Sequence, residues 1–163
     1  LLPNHPRYSC LPTPSVGVLN PMKILLPVDG SESSARAVEH VIKMAHQEAL
    51  PEIHLLHVRP PIDSWEVRRF LTPTEIAAMQ QHEGEEELRA CRALLDAAGM
   101  PYQYEVLVGD GQVAAAITHY AEANGCDLIV MGTHGRTGLR HLLMGSVTTD
   151  VIHGSQVPVT LVK

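Results

Sequence analysis

Five short strand-like segments, separated by longer stretches of helical periodicity, constrain the fold of this 163-residue chain more than any other feature. Most of them are continuous apolar runs bounded by proline, glycine or aspartate, which is typical of strands buried on both faces of a parallel sheet. The segments comprise residues 22–28, 53–58, 102–108, 127–131 and 158–162. Because helical segments alternate with them, we expect an open parallel sheet with right-handed crossovers and helices on both faces.

The composition suits one globular domain and excludes several classes of protein. Hydrophobic residues make up 45% of the chain and charged residues 18%, and the net charge of −6 argues against nonspecific binding of nucleic acid. The sequence has no apolar run of the roughly 20 residues that a membrane span needs. Cys10, Cys91 and Cys126 lack the spacing of metal ligands. We therefore expect free thiols in a reducing, cytoplasmic compartment and no metal site.

Residues 1–21 differ from the rest of the chain. They contain five prolines and no periodicity, which predicts an irregular or extended arm. A charged start followed by an apolar core is missing, so the arm is not a secretory signal. Met22 coincides with the start of the domain pattern. Our hypothesis is that Met22 is the natural start, that residues 1–21 are a non-native remnant, and that the domain occupies residues 22–163.

Two further segments have distinctive compositions. Residues 59–72 hold the only tryptophan and the only phenylalanine, and we expect a long connection there that is functional or mobile. Residues 73–98 have a helical pattern that includes the charge run Glu83, Glu85, Glu86 and Glu87. We interpret this run as a solvated helix face.

The segment from Asp127 to Val147 is the main candidate for ligand binding. A buried strand runs into a loop with glycines at 132, 135 and 138, and Gly145-Ser146 then begins another helix. Glycine leaves backbone N–H groups uncovered, and a helix start adds unpaired donors and the positive end of the helix dipole. The pattern predicts a phosphate-binding loop. The alternative is a flexible loop followed by helix-capping residues.

The spacing Gly132-x2-Gly135-x9-Gly145-Ser146 resembles the nucleotide-binding signature of the universal stress protein family, in its ATP-binding branch. Residues 23–31, 53–58 and 158–162 resemble the first, second and last strands of that family, so the resemblance covers about residues 22–163. It implies a Rossmann-like fold, similar to the adenine nucleotide α-hydrolases, with sheet order 3-2-1-4-5. The first and fourth strands would then be neighbours, and Asp29 and the glycine loop would share one rim of the sheet.

The resemblance also implies roles for individual residues. Asp29 matches the carboxylate that faces the nucleoside, where it would accept hydrogen bonds from ribose hydroxyls or the adenine amino group. Its alternative role is a helix N-cap beside Ser31. His134 we interpret as structural rather than as a metal ligand or general acid. The other implied site residues are Pro27, Val28, Val58 and Met131 in an adenine pocket, Gly132, Gly135, Gly145, Ser146 and Val147 around the phosphates, and Arg136 as a loop cation that either neutralises phosphate or faces solvent.

The function implied by the resemblance is a stress-response regulatory module that binds ATP, ADP or AMP, with Mg²⁺ a candidate companion of the triphosphate. The family also implies a homodimer through the last strand, at Val157, Val159 and Leu161. From the net charge and the lack of a long apolar run, we expect no nucleic-acid or membrane partner. Two alternatives stay open: a slow ATP hydrolase or nucleotidyl-transfer enzyme, and a dimer module that binds no nucleotide. The sequence has no Walker motif and no nucleophile elbow, so dedicated catalysis is not expected.

Overall fold

A five-stranded parallel sheet with helices on both faces forms the part of the chain that this computed structural model describes, residues 20–45, 50–135 and 144–163. The strand order is β3-β2-β1-β4-β5 and every pairing is parallel, so the predicted fold is confirmed. None of the described helices is both long and apolar enough to cross a membrane. The elements are β1 (Lys23–Pro27), α1 (Glu32–Ala45), β2 (Glu52–Arg59), α2 (Trp65–Phe70), α3 (Pro73–Ala97), β3 (Tyr102–Val108), α4 (Val113–Ala123), β4 (Leu128–Gly132), α5 (Ser146–Gly154) and β5 (Val159–Val162).

Two hydrophobic cores, one on each face of the sheet, explain the continuous apolar runs. Successive strand residues point to opposite faces. Leu26 packs in the core that contains Val38 of α1 and Leu88 of α3. Its neighbour Leu25 packs in the opposite core with Ile117 of α4 and with α5. Since both faces of β1 are covered, every residue of the strand interior has to be apolar.

Helix α3 packs closely on the sheet. Thr72 and Glu75 form a capping box at its start. A Cβ on Gly84 would lie 2.9 Å from Cγ2 of Val106 and closer still to Cγ1. The charge run is only partly the predicted solvated face, because the Glu87 carboxylate lies against Gly30, beside Asp29. This arrangement brings one acidic side chain of α3 to the rim where β1 ends.

The connection after β2 is partly helical, which the sequence did not predict. Helix α2 has only six residues and none of them is buried. Trp65 is 68% exposed and Phe70 is 81% exposed. A helix that buries no face has no apolar periodicity, so this element left no helical pattern in the sequence.

Candidate functional site

A cavity of about 280 Å³ lies where β1, β2 and β4 end and where α4 and α5 begin. Strand order reverses between β1 and β4, and in open α/β sheets ligands bind at this position. All the predicted site residues except Arg136 line the cavity, and Arg136 lies outside the described residues. The cavity is also lined by residues that the sequence interpretation did not assign to the site: Ser34, Leu56, Val113, Ile117, His134 and Thr148.

The inner part of the cavity is apolar. Leu56 and Ile117 belong to the core beneath it and are almost completely buried, while Val58, Val113 and Met131 form its walls. Val113 and Ile117 have helical spacing on one stripe of α4, and this spacing in the sequence could have indicated their inward position. Apolar side chains could therefore enclose a planar ligand in this part of the cavity.

Asp29 and the glycine loop share one rim, although about a hundred residues separate them in sequence. A Cβ on Gly135 would lie 2.7 Å from Oδ2 of Asp29. The Asp29 Oδ1 atom accepts a hydrogen bond from Ser31 N at 3.1 Å, and Ser31 Oγ accepts one from Ser34 N at 3.2 Å. Ser31 is therefore the N-cap of α1, and Asp29 is not. The short turn holds the Asp29 carboxylate at the mouth of the cavity.

Gly132 has a packing role that the sequence interpretation did not give it. It is buried at the end of β4, and a Cβ there would lie 2.7 Å from the carbonyl carbon and oxygen of Ser33, in the first turn of α1. Its own carbonyl accepts a hydrogen bond from Thr148 Oγ1 at 3.2 Å. Gly132 therefore lets α1 and α5 approach the strand end. That its N–H also faces an anion stays a prediction.

The start of α5 presents backbone donors to the cavity. Gly145 is its N-cap, and the first intrahelical bond joins Thr149 N to Gly145 O at 3.0 Å. The N–H groups of Ser146, Val147 and Thr148 thus precede the helical hydrogen-bond ladder, and the N-cap has no side chain to satisfy them. Gly145 N is already used, since it donates to Thr133 O at 2.8 Å. The donors therefore begin one residue later than predicted and include Thr148.

Strands β1 and β2 separate at the cavity. Their pairing ends at Pro27 and Leu56, and a last hydrogen bond joins Val28 N to Leu56 O at 2.8 Å. Alternate residues of a strand direct their backbone groups to the same side, so Val58 turns its N–H and C=O toward β1 as Leu56 does. No hydrogen bond joins Val58 N to Val28 O. Val58 was predicted only as an apolar wall, but its backbone edge faces the gap that forms the cavity.

His134 lies at the cavity mouth and contacts Thr133 and Ser33. Its Nδ1 is 2.9 Å from Thr133 Oγ1, and its backbone N donates to Ser33 Oγ at 3.4 Å. Within the described ranges, no group of three or more His, Cys, Asp and Glu side chains is arranged to hold a metal ion. The interpretation of His134 as a structural residue stays a prediction.

The described cysteines are buried thiols. Cys91 and Cys126 form no disulfide. Burial raises the pKa of the Cys91 thiol to about 11, and the smaller opposing effect of Ser34 does not offset it. Burial also raises the pKa of Cys126. A thiol with a raised pKa is a poor nucleophile at neutral pH, so Cys91, although close to Ser34 of the cavity wall, is not suited to covalent catalysis.

This arrangement of sheet, helices and cavity defines a Rossmann-like α/β domain with its candidate site at the switch point of strand order. The family model described as "Universal stress protein family" matches residues 21–163, and the chain belongs to this family. The family resemblance inferred from the sequence is confirmed.

Two archaeal relatives and two solved structures show the extent of the likeness. Universal stress protein MJ0531 of Methanocaldococcus jannaschii is 35% identical over 86% of this chain and 81% of its own length. Universal stress protein MJ0577 of the same organism is 32% identical over 86% of this chain and 94% of its own. The MJ0577 structure superposes with a TM-score of 0.74 over 89% of this chain and 97% of that one. A universal stress protein family structure from Arabidopsis thaliana with AMP bound has 20% identity and a TM-score of 0.60, covering 88% and 92% of the two chains, a likeness of fold.

Proposed function

We propose that the cavity binds an adenine nucleotide and that the chain acts as a nucleotide-dependent regulatory module in a stress response. The observation that carries the proposal is that one cavity has an apolar part and a polar part. An apolar inner part with one free peptide edge adjoins a helix start with three N–H groups outside its ladder. A nucleotide has the same division, with a planar base at one end and anionic phosphate at the other.

The base end of the cavity suits adenine. Val58 offers an N–H donor and a C=O acceptor toward the gap, and the Watson–Crick edge of adenine carries a complementary ring-nitrogen acceptor and amino donor. The walls, with Met131 buried among them, would cover the faces of the base. A thioether packs favourably against an aromatic ring. A volume of about 280 Å³ accommodates the base and part of the sugar, and the phosphates would extend to the open rim.

The phosphate end of the cavity is the start of α5. The N–H groups of Ser146, Val147 and Thr148 and the Ser146 hydroxyl would donate to phosphate oxygens. Each charge–dipole contact contributes about 0.3–1 kcal/mol when exposed and up to about 2 kcal/mol when partly buried. Together with burial of the base, such contacts are sufficient for micromolar affinity, about −8 kcal/mol.

The sugar would lie between these two ends. The Asp29 carboxylate at the rim would accept hydrogen bonds from its hydroxyls. Family structures carrying AMP, dAMP and cAMP make adenine nucleotides the first ligands to test. For ATP, Mg²⁺ would be held mainly by phosphate oxygens and water, as is usual for this ion. The role of the bound state is regulatory in this proposal.

Thermal denaturation in the presence of ligands tests the proposal. A ligand at 100 times its Kd adds about 2.7 kcal/mol to the free energy of unfolding, which corresponds to roughly 5–11 °C for a chain of this size. We expect such shifts with ATP, ADP and AMP, measured with and without Mg²⁺. GMP is the matched control, because it reverses the donor and acceptor at the base edge, and it should shift the Tm far less. Absence of a shift with every adenine nucleotide, or equal shifts with AMP and GMP, would contradict the proposal.

We further propose that β5 forms the homodimer, since it is an outer strand of the sheet and its four residues are only half-buried. The carbonyl of Pro158 accepts a hydrogen bond from Ile129 N of β4, and that of Val162 accepts one from Thr133 N just after β4. By alternation Thr160 also faces β4, while Val159 and Leu161 direct their backbone groups outward. An outer strand with unpaired backbone groups can pair with a second copy by a two-fold antiparallel contact. Val157 would extend this contact.

Leu161→Pro is therefore expected to give monomers in size-exclusion chromatography. Proline removes an outward N–H while the hydrogen bonds to β4 stay intact. The side chains of Val159 and Leu161 also pack against the core, so a charged residue there would confound assembly with stability. Leu161→Ala is the control, because it shortens the side chain but keeps the N–H, and it should elute as a dimer. Identical elution of the two variants would refute the proposed interface.

A further inference from the structure

A buried histidine lies next to the free peptide edge of Val58. His57 is 6% exposed and its Nδ1 lies 2.7 Å from Val28 O. A carbonyl oxygen only accepts hydrogen bonds, so Nδ1 must carry the proton and donate. The ring thus takes a backbone acceptor at the point where β1 ends.

The accepting carbonyl is the one that the next rung of the β1–β2 ladder would use. In a regular parallel pair, the bond from Val28 N to Leu56 O is followed by a bond from Val58 N to Val28 O. The second bond is missing, and the Val28 carbonyl accepts from His57 instead. The ladder therefore ends one rung early, on the cavity side of the sheet.

We infer that His57 is a positioning residue of the nucleotide site: by holding the Val28 carbonyl, it keeps the Val58 N–H out of the sheet and available to the base of the ligand. The inference rests on the proposed function. The same hydrogen bond fixes the peptide between Val28 and Asp29. The His57 ring therefore holds in place both the backbone edge of Val58 and the start of the turn that carries the Asp29 carboxylate. Without the ring, Val58 N–H would pair with Val28 O, and the cavity would lose its donor.

A second histidine on the same strand provides a matched control. His54 is 4% exposed and points to the other face of the sheet. Its Nδ1 lies 3.2 Å from the Tyr120 hydroxyl and its Nε2 lies 3.0 Å from Glu52 Oε1. It is as buried as His57 and is also hydrogen-bonded, through both ring nitrogens, but it does not line the cavity. Replacing it removes a buried histidine without changing the Val28–Val58 edge.

The test compares two ligands, AMP and ribose 5-phosphate, by calorimetric titration of the full chain. We expect His57→Leu to weaken AMP binding about tenfold, or about 1.4 kcal/mol, and to leave ribose 5-phosphate, which has no base, within about twofold of wild type. His57→Asn should restore AMP binding to within about threefold of wild type, because its amide nitrogen replaces Nδ1 as donor. His54→Leu should bind both ligands as wild type does.

An unchanged AMP affinity in His57→Leu, an equal loss for both ligands, or a failure of His57→Asn to rescue would overturn the inference. If His57→Leu does not fold, nuclear magnetic resonance of the ligand-free wild-type protein decides. We expect an Nδ1–H tautomer at His57 and fast amide exchange at Val58 that slows when AMP is added. An Nε2–H tautomer, or a Val58 amide protected without ligand, would overturn it. Wild-type protein that binds no adenine nucleotide would refute the proposed function instead, and the ligand-free spectra would still test the His57–Val28 contact.

Discussion

Gly132→Val is expected to lower the Tm by roughly 6–12 °C, through a loss of about 3 kcal/mol from overpacking at a site with no room to relax. A Cβ at this position would overlap the carbonyl group of Ser33, and still more closely its Oγ. Backbone atoms of a helix cannot rotate away as a side chain can. The first turn of α1 would have to move off the end of β4. Thermal denaturation followed by circular dichroism measures the effect.

Gly145→Ala is the control for that variant. A Cβ on Gly145 would meet its nearest atoms at 3.6–3.7 Å, which is ordinary contact, and the φ of −72° suits any residue. Alanine is a weaker N-cap than glycine, so we expect a decrease of less than about 1 kcal/mol. A similar loss of stability in both variants, or a wild-type Tm for Gly132→Val, would contradict the packing argument.

The glycines of the signature have different physical roles, and the sequence does not reveal this. Gly132 makes room for Ser33, Gly135 makes room for the Asp29 carboxylate, and Gly145 precedes the helix start without steric need for glycine. The first two partners lie about a hundred residues away in the sequence. Spacing along the chain therefore identified the loop but could not say what each glycine contacts.

The strands were predictable within about a residue because their sequences reflect burial on both faces. The ends of β3 agree with the prediction, and β1 and β4 each begin and end within one residue of it. The strand order came from the family resemblance, since apolar runs do not specify which strands are neighbours. Helix α2 and the inward position of Glu87 were missed. Helix α2 has no apolar pattern because it buries no face, and the position of Glu87 depends on packing between distant segments.

In the candidate site, the side-chain assignments were easier to predict than those of the backbone. The apolar wall around Met131 follows from strand ends, and Asp29 follows from its position after β1. The free edge of Val58 and the role of His57 depend on where a hydrogen-bond ladder stops, which a single sequence does not specify. Binding of ligand by any of these residues stays a prediction.

Ser146→Pro is expected to weaken AMP and ATP binding by about tenfold to a hundredfold while the fold is kept. Ser146 is the first residue of α5, a position where proline is favoured because its N–H has no partner within the helix. Gly145 has a ψ of 156°, which a following proline requires. Stability should therefore stay within about 1 kcal/mol of wild type. The variant removes both the Ser146 hydroxyl and the Ser146 N–H, and most of the loss of affinity should come from the N–H, since a hydrogen bond to a charged group contributes about 1.5–3 kcal/mol.

Two comparisons isolate that N–H from everything else in the site. Ser146→Ala removes the hydroxyl but keeps the N–H, so it should retain more of the AMP affinity than Ser146→Pro does. Adenosine has no phosphate, and its affinity should be the same in wild type and in Ser146→Pro when measured by calorimetry. If Ser146→Pro binds both adenosine and AMP more weakly than wild type does, the proline has disturbed the apolar part of the cavity. If it binds both ligands as tightly as wild type does, the phosphates do not lie at the start of α5, and the proposed orientation of the nucleotide is wrong.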